Sequence, residues 1–98
     1  MNIQALMKQA QQMQKDIEKS KNEIDSMTFE GKSSLVTVKV NGKKEVLEIK
    51  IEEQEEIKED LSILEDMILL AVNDAMKKVD QATNEKMKKY SNMMPGMF

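Results

Sequence analysis

A chain of 98 residues fits one domain with little to spare, and its apolar stock is soft: ten Met, no Trp, and only Phe29, Tyr90 and Phe98 as aromatics. The absence of Cys and His excludes disulfides, thiolate or imidazole catalysis and most zinc sites, and Gly31, Gly42 and Gly96 are too scattered for a phosphate loop. The net charge of −3 hides its distribution, because residues 52–66 hold eight acids and one Lys and the rest of the chain is basic.

The first element is a helix expected over residues 2–26. Ile3, Ala10, Ile17 and Ile24 fall seven apart, Leu6, Met13 and Met27 occupy the alternate positions, and only Ser20 interrupts the seam. At 1.5 Å per residue this helix is roughly 37 Å long, more than the rest of so short a chain can cover. Its seam either pairs as a coiled coil or lies in part on the chain's own sheet.

The apolar period then changes from helical to alternating. Val36, Val38 and Val40 alternate with Thr37 and Lys39, and Asn41-Gly42 follows as a two-residue type I′ hairpin signal. Pairing Val40 with Lys43 sets Val36 opposite Leu47, with Leu47, Ile49 and Ile51 on the return strand. Thr28–Gly31 reads as a further strand, which completes a three-stranded antiparallel sheet.

Residues 52–60 are acidic and read as a loop or a short first turn. They lack the alternating acids and the glycine of a calcium loop, so a solvated face is the simpler reading than a cation site. Ser62 and Glu65 form a capping box ahead of a second long helix expected over 63–90, with Leu64, Ile68, Ala71, Ala75, Val79 and Ala82 as its stripe. Residues 67–72, Met-Ile-Leu-Leu-Ala-Val, are apolar on every side of that helix. One sheet face covers only one side, so Ile68, Leu69, Leu70 and Val72 are expected to meet a second subunit. Asn73-Asp74 reads as a polar border to this patch. Residues 1–90 then make one domain, and 91–98 are expected to be a disordered tail.

Candidate binding residues are all lysines, since the chain has no Arg. Lys8, Lys15 and Lys19 lie opposite the seam of the first helix, in a segment whose first fifteen residues contain no acid. Lys77, Lys78, Lys86, Lys88 and Lys89 follow on the second helix. Such lysines either solvate a face and complement the helix dipole or track the phosphates of a duplex. Lys acts as a point charge without the planar fork that reads guanine, so a DNA ligand would be held by its backbone. A codon bias toward Lys explains the composition equally well. The chain also lacks a signal-peptide core and any apolar run beyond six residues, so it is read as cytoplasmic, with no membrane partner, no metal, no cofactor and no small-molecule substrate. No apolar pocket that could raise a carboxyl pKa can be argued, and an enzyme is not expected.

Two signatures resemble a known family. Leu-Met-Lys-Gln-Ala-Gln-Gln-Met-Gln-Lys (6–15) resembles the opening of the YbaB/EbfC family of bacterial nucleoid-associated proteins, and Leu-Glu-Asp-Met-Ile-Leu-Leu-Ala-Val-Asn-Asp-Ala (64–75) resembles its second signature. The hairpin carrying Val-Asn-Gly (40–42), Asn-Glu-Lys-Met (84–87) and the Met/Pro/Gly-rich end also fit. The resemblance implies an α+β, α-β-β-β-α protomer and a tweezer-like homodimer. It further implies binding of double-stranded DNA, with a change in its conformation, nucleoid organisation and gene regulation. Family DNA contact on the two long helices carries over to Lys8, Lys15, Lys77 and Lys78. Many relatives have Arg-Arg where this chain has Lys77-Lys78, so the charge persists without the bidentate geometry. The main rival is an adaptor that docks a DNA-processing enzyme on its protruding helices. RNA binding is disfavoured by the few aromatics.

Overall fold

The computed structural model describes residues 2–93. The first helix, α1 (Ile3–Asp25), begins where the Asn2 side chain accepts the amides of Gln4 and Ala5 at 3.0 and 3.4 Å. It ends where the Ser26 amide and hydroxyl bond back to the carbonyls of Asn22 and Glu23. Only the second half of its seam finds cover. Ile17 and Ile24 are buried beside Met87 and Tyr90, with Met13 at the margin, whereas Ile3 and Leu6 are 70% and 48% exposed.

Three antiparallel strands follow in spatial order: β1 (Thr28–Ser33), β2 (Val36–Asn41) and β3 (Val46–Ile51). The tight two-residue connection is Ser34-Leu35, with Ser34 at φ 50°, and not Asn41-Gly42. Residues 42–45 separate β2 from β3, which moves the expected register: Val36 lies opposite Ile51, not Leu47, and Val38 opposite Ile49. A bulge at Leu47 then brings Val40 opposite Val46, not Lys43. The cause is Asn41. Its Oδ1 accepts the amides of Lys43 and Glu45 at 2.9 and 3.0 Å, and its Nδ2 donates to Glu45 Oε1 at 2.9 Å, which stabilises a wider loop.

After the sheet come α2 (Glu55–Glu59) and α3 (Leu61–Met93). The expected capping box is not what starts α3. Asp60 is the cap, its carboxylate accepting both the amide and the hydroxyl of Ser62, and these bonds hold the Asp60 carboxyl below its ordinary range. The helix also runs through residues 91–93, three residues into the expected tail, while 94–98 lie outside the described residues.

The core is a thin layer between sheet and helix. Val36, Val38 and Val40 are fully buried against Ala71, Ala75 and Val79, each valine contributing about 1.5–3 kcal/mol by burial. Small residues on α3 let it approach closely, and Gly31 of β1 completes the fit, because a Cβ there would overlap the backbone of Ala71 and Ala75. A helix about 10 Å wide spans only two strands spaced about 4.8 Å apart. Accordingly α3 lies on β1 and β2 and leaves β3 bare. Ile49 and Ile51 share a face with the buried valines yet remain 46% and 40% exposed. The molecule measures 71 × 21 × 13 Å. Its radius of gyration is 19.5 Å, against about 13 Å for a compact chain of this length.

Candidate nucleic-acid interface

The α1 seam faces α3, so the positions opposite it face solvent. Lys8, Lys15 and Lys19 are exposed there, and among the described residues they form no ion pair. Lys15 lies two turns after Lys8 and Lys19 one turn further, on a helix with no acid before Asp16. This is an accessible row of point charges spaced at roughly 6–10 Å along the axis.

The lysines of α3 differ in their placement. Lys77 and Lys88 are eleven residues apart, which is three helical turns, and both are exposed on the side of α3 away from the valine core. Lys77 forms no ion pair among the described residues. Lys78 and Lys86 are engaged within the chain. The Lys78 ammonium donates to the Glu30 carbonyl at 2.7 Å and pairs with Asp74 at 3.4 Å. Lys86 pairs with Glu23 across the α1–α3 contact at 2.7 Å, and that ammonium is the main cause holding the Glu23 carboxyl below its ordinary range. Lys89 lies 4.9 Å from the ring centre of Tyr90.

The eight lysines therefore do not form one patch on a single protomer. The Lys86–Glu23 pair sets the antiparallel alignment of α1 and α3, and by that alignment Lys8 and Lys77 stand roughly 35 Å apart along the long axis. The acidic residues 52–60 occupy the opposite end of the rod from the α1 N-terminus. Among the described residues no group of three or more acids is arranged to hold a metal ion, and no helix is long and apolar enough to cross a membrane.

Asp74 has a role that sequence reasoning missed. Besides its local pair with Lys78, its carboxylate accepts the Lys32 amide of β1 at 3.0 Å, forty-two residues away in sequence. That bond, with Lys78 adding its charge, holds the Asp74 carboxyl below its ordinary range. Together Asp74 and Lys78 occupy an outward-facing amide and carbonyl of β1, so this sheet edge is sealed by its own helix. Among the described residues the β3 edge has no such cover.

The expected dimer residues also divide. Leu69 and Leu70 are 60% and 59% exposed, whereas Ile68 and Val72 are half-buried against the valine core. Val46, Leu47, Ile49, Ile51 and Leu61 are further exposed apolar side chains. A shallow cleft of about 190 Å³ lies between Ile51, Ile57, Leu61 and Leu64. The signal for this surface was present in the sequence as a third strand with an apolar face and only one helix left to cover it.

The model of the YbaB/EbfC DNA-binding family matches residues 1–94. A nucleoid-associated protein of Ligilactobacillus salivarius (strain UCC118) is 41% identical over 99 residues, covering 99% of this chain and 95% of its own. Nucleoid-associated proteins of Lactococcus lactis subsp. cremoris (strain MG1363) and Enterococcus faecalis (strain V583) are 39% and 35% identical, each over 97% of this chain and over 98% and 93% of their own lengths. The crystal structure of the uncharacterized protein HP0035 from Helicobacter pylori shares the fold, with a TM-score of 0.66 at 21% identity over 95% of this chain and 98% of that one.

Proposed function

The chain belongs to the YbaB/EbfC DNA-binding family, and from that premise we propose that it is a nucleoid-associated protein that binds double-stranded DNA as a homodimer with little sequence preference. Family membership supplies the ligand. The observation that carries the reading to particular residues is the row of exposed α1 lysines that form no ion pair among the described residues, Lys8, Lys15 and Lys19, joined on α3 by Lys77. Lys88 and Lys89 extend the α3 contact. Lys78 and Lys86 contribute only as far as their internal partners release them. Lysines on phosphates release counterions and give affinity without base readout. Through such contacts the protein bends or stiffens the duplex and takes part in nucleoid organisation and gene regulation.

The asymmetry of the sheet supports the homodimer. The β1 edge is occupied by Asp74 and Lys78, so association runs through the bare β3 face together with Leu61, Leu69 and Leu70. Two rods joined at that end hold their acidic segments near the centre and carry the α1 lysines outward, in a tweezer-like outline.

A mobility-shift titration on a mixed-sequence duplex over a series of salt concentrations tests the reading. Affinity is expected to fall linearly in log–log form, and K8E/K15E to lower the slope by roughly one per lysine removed per protomer. Binding that ignores salt, or that survives the double substitution unchanged, would refute the lysine surface.

A further inference from the structure

The apolar seam of α1 is broken once, at Ser20, and the break falls where α1 and α3 lie side by side. There the two helices border a polar groove of about 510 Å³, whose lining includes Lys19, Ser20 and Glu23 of α1 and Lys86 and Lys89 of α3. With duplex DNA as the ligand, the reading on which this rests, we propose that the groove seats one phosphate of the DNA backbone. Glu23 holds that place in the free protein.

Helical spacing gathers the cations. Lys86 and Lys89 are three residues apart on α3 and share one face of it, and Lys19 stands one turn before Glu23 on α1. The Lys86–Glu23 pair at 2.7 Å aligns the helices antiparallel, which sets Lys89 level with Ser20 and its neighbour Lys19. Three ammonium groups thus share one groove with the Glu23 carboxylate. Lys86 is the main cause that lowers its pKa, and the Lys19 charge adds a smaller pull. The other acid of the lining, Asp16, accepts the Gln12 side-chain amide at 3.1 Å, one turn toward the start of α1. Lys89 is held over the buried ring of Tyr90, with its ammonium 4.9 Å from the ring centre.

A phosphodiester suits this lining better than the carboxylate that now occupies it. Each carries one negative charge, but phosphate oxygens accept from several directions, and here three ammonium groups and the Ser20 hydroxyl border one space. An apolar residue at position 20 would continue the seam; serine gives up that burial and supplies a donor instead. The pair that must open is partly exposed on both sides, so opening it costs little. Exchange of one anion for another also has a thermodynamic signature. The cation that a released Glu23 takes up offsets the one that the phosphate sheds, so in the native chain this contact adds nothing to the salt slope.

Glu23→Gln in the full-length protein keeps the size of the side chain and removes its charge. In the mobility-shift salt series its affinity is expected to rise roughly twofold to fivefold, the scale of an exposed ion pair, and the slope to steepen by about one per protomer. Adding Lys86→Gln is expected to return the slope to the native value. Asp80→Asn is the matched control, since it frees Lys44 from a 2.6 Å pair outside the groove and is expected to leave the slope unchanged. On the native chain, lysine side-chain NMR is expected to show Lys19, Lys86 and Lys89 shifting with added duplex while Lys44 stays. This second measurement stands even if the substitution loosens the α1–α3 contact. A Glu23→Gln slope equal to the native one or matched by Asp80→Asn, or a Lys86 signal unmoved by duplex, would overturn the phosphate seat while native binding stays salt-dependent. A native protein that binds no duplex would instead remove the DNA reading itself, and the seat with it.

Discussion

Gly42 carries only hydrogen where any other side chain would overlap the backbone carbonyl of Ile24 at the end of α1. The Asn-Gly pair points to a turn from sequence alone, but the reason for the glycine is this close approach, since Lys44 at φ 65° is the loop residue that turns left-handed. Gly42→Ala is therefore expected to cost about 1–3 kcal/mol by forcing the helix end off the loop, read as a lower urea midpoint. Asp74 makes a different kind of long-range contact. Its carboxyl pKa is lowered in the folded state by the Lys32 amide first and the Lys78 charge second, so its contribution is full above the unfolded value of about 4. That contribution is lost as pH falls through the lower folded value. The urea midpoint of the protein is expected to drop between pH 6 and pH 3, and the drop to be smaller in Asp74→Asn, which has no proton to take up.

Elements were legible where their signal is local. The heptad seam of α1 needs no distant partner to declare a helix, and the alternation of Val36, Val38 and Val40 declares a strand. Register and caps were less legible. The Asn41 side chain widens the loop after β2 by taking the amides of Lys43 and Glu45, and Asp60 replaces Ser62 as the cap of α3 by taking the amide and hydroxyl of Ser62 itself. The strand β3 carries the clearest consequence. Its apolar face is uncovered, so Ile49→Lys is expected to leave the fold intact by circular dichroism while reducing the solution mass from two chains to one in light scattering. A dimer of unchanged mass would place the subunit contact elsewhere.

At the scale of the whole molecule the chain is a rod with unlike ends. The acidic stretch 52–66 sits at the sheet end and the acid-free start of α1 at the other, separated along a 71 Å axis. A net charge of −3 is therefore no obstacle to a polyanionic partner, since phosphates respond to the local field. The steep salt dependence expected of DNA binding belongs to this scale, because it counts every lysine that two protomers bring to one duplex.

The sequence by itself determined the order and type of the elements, the family, and which lysines stand opposite an apolar seam, because periodicity and charge are written along the chain. Tertiary structure alone decided which strand is left bare, which sheet edge is sealed, and which lysines are already paired. Those outcomes turn on how a single helix, wide enough for two strands, settles on a sheet of three, and nothing local to any one element encodes that choice.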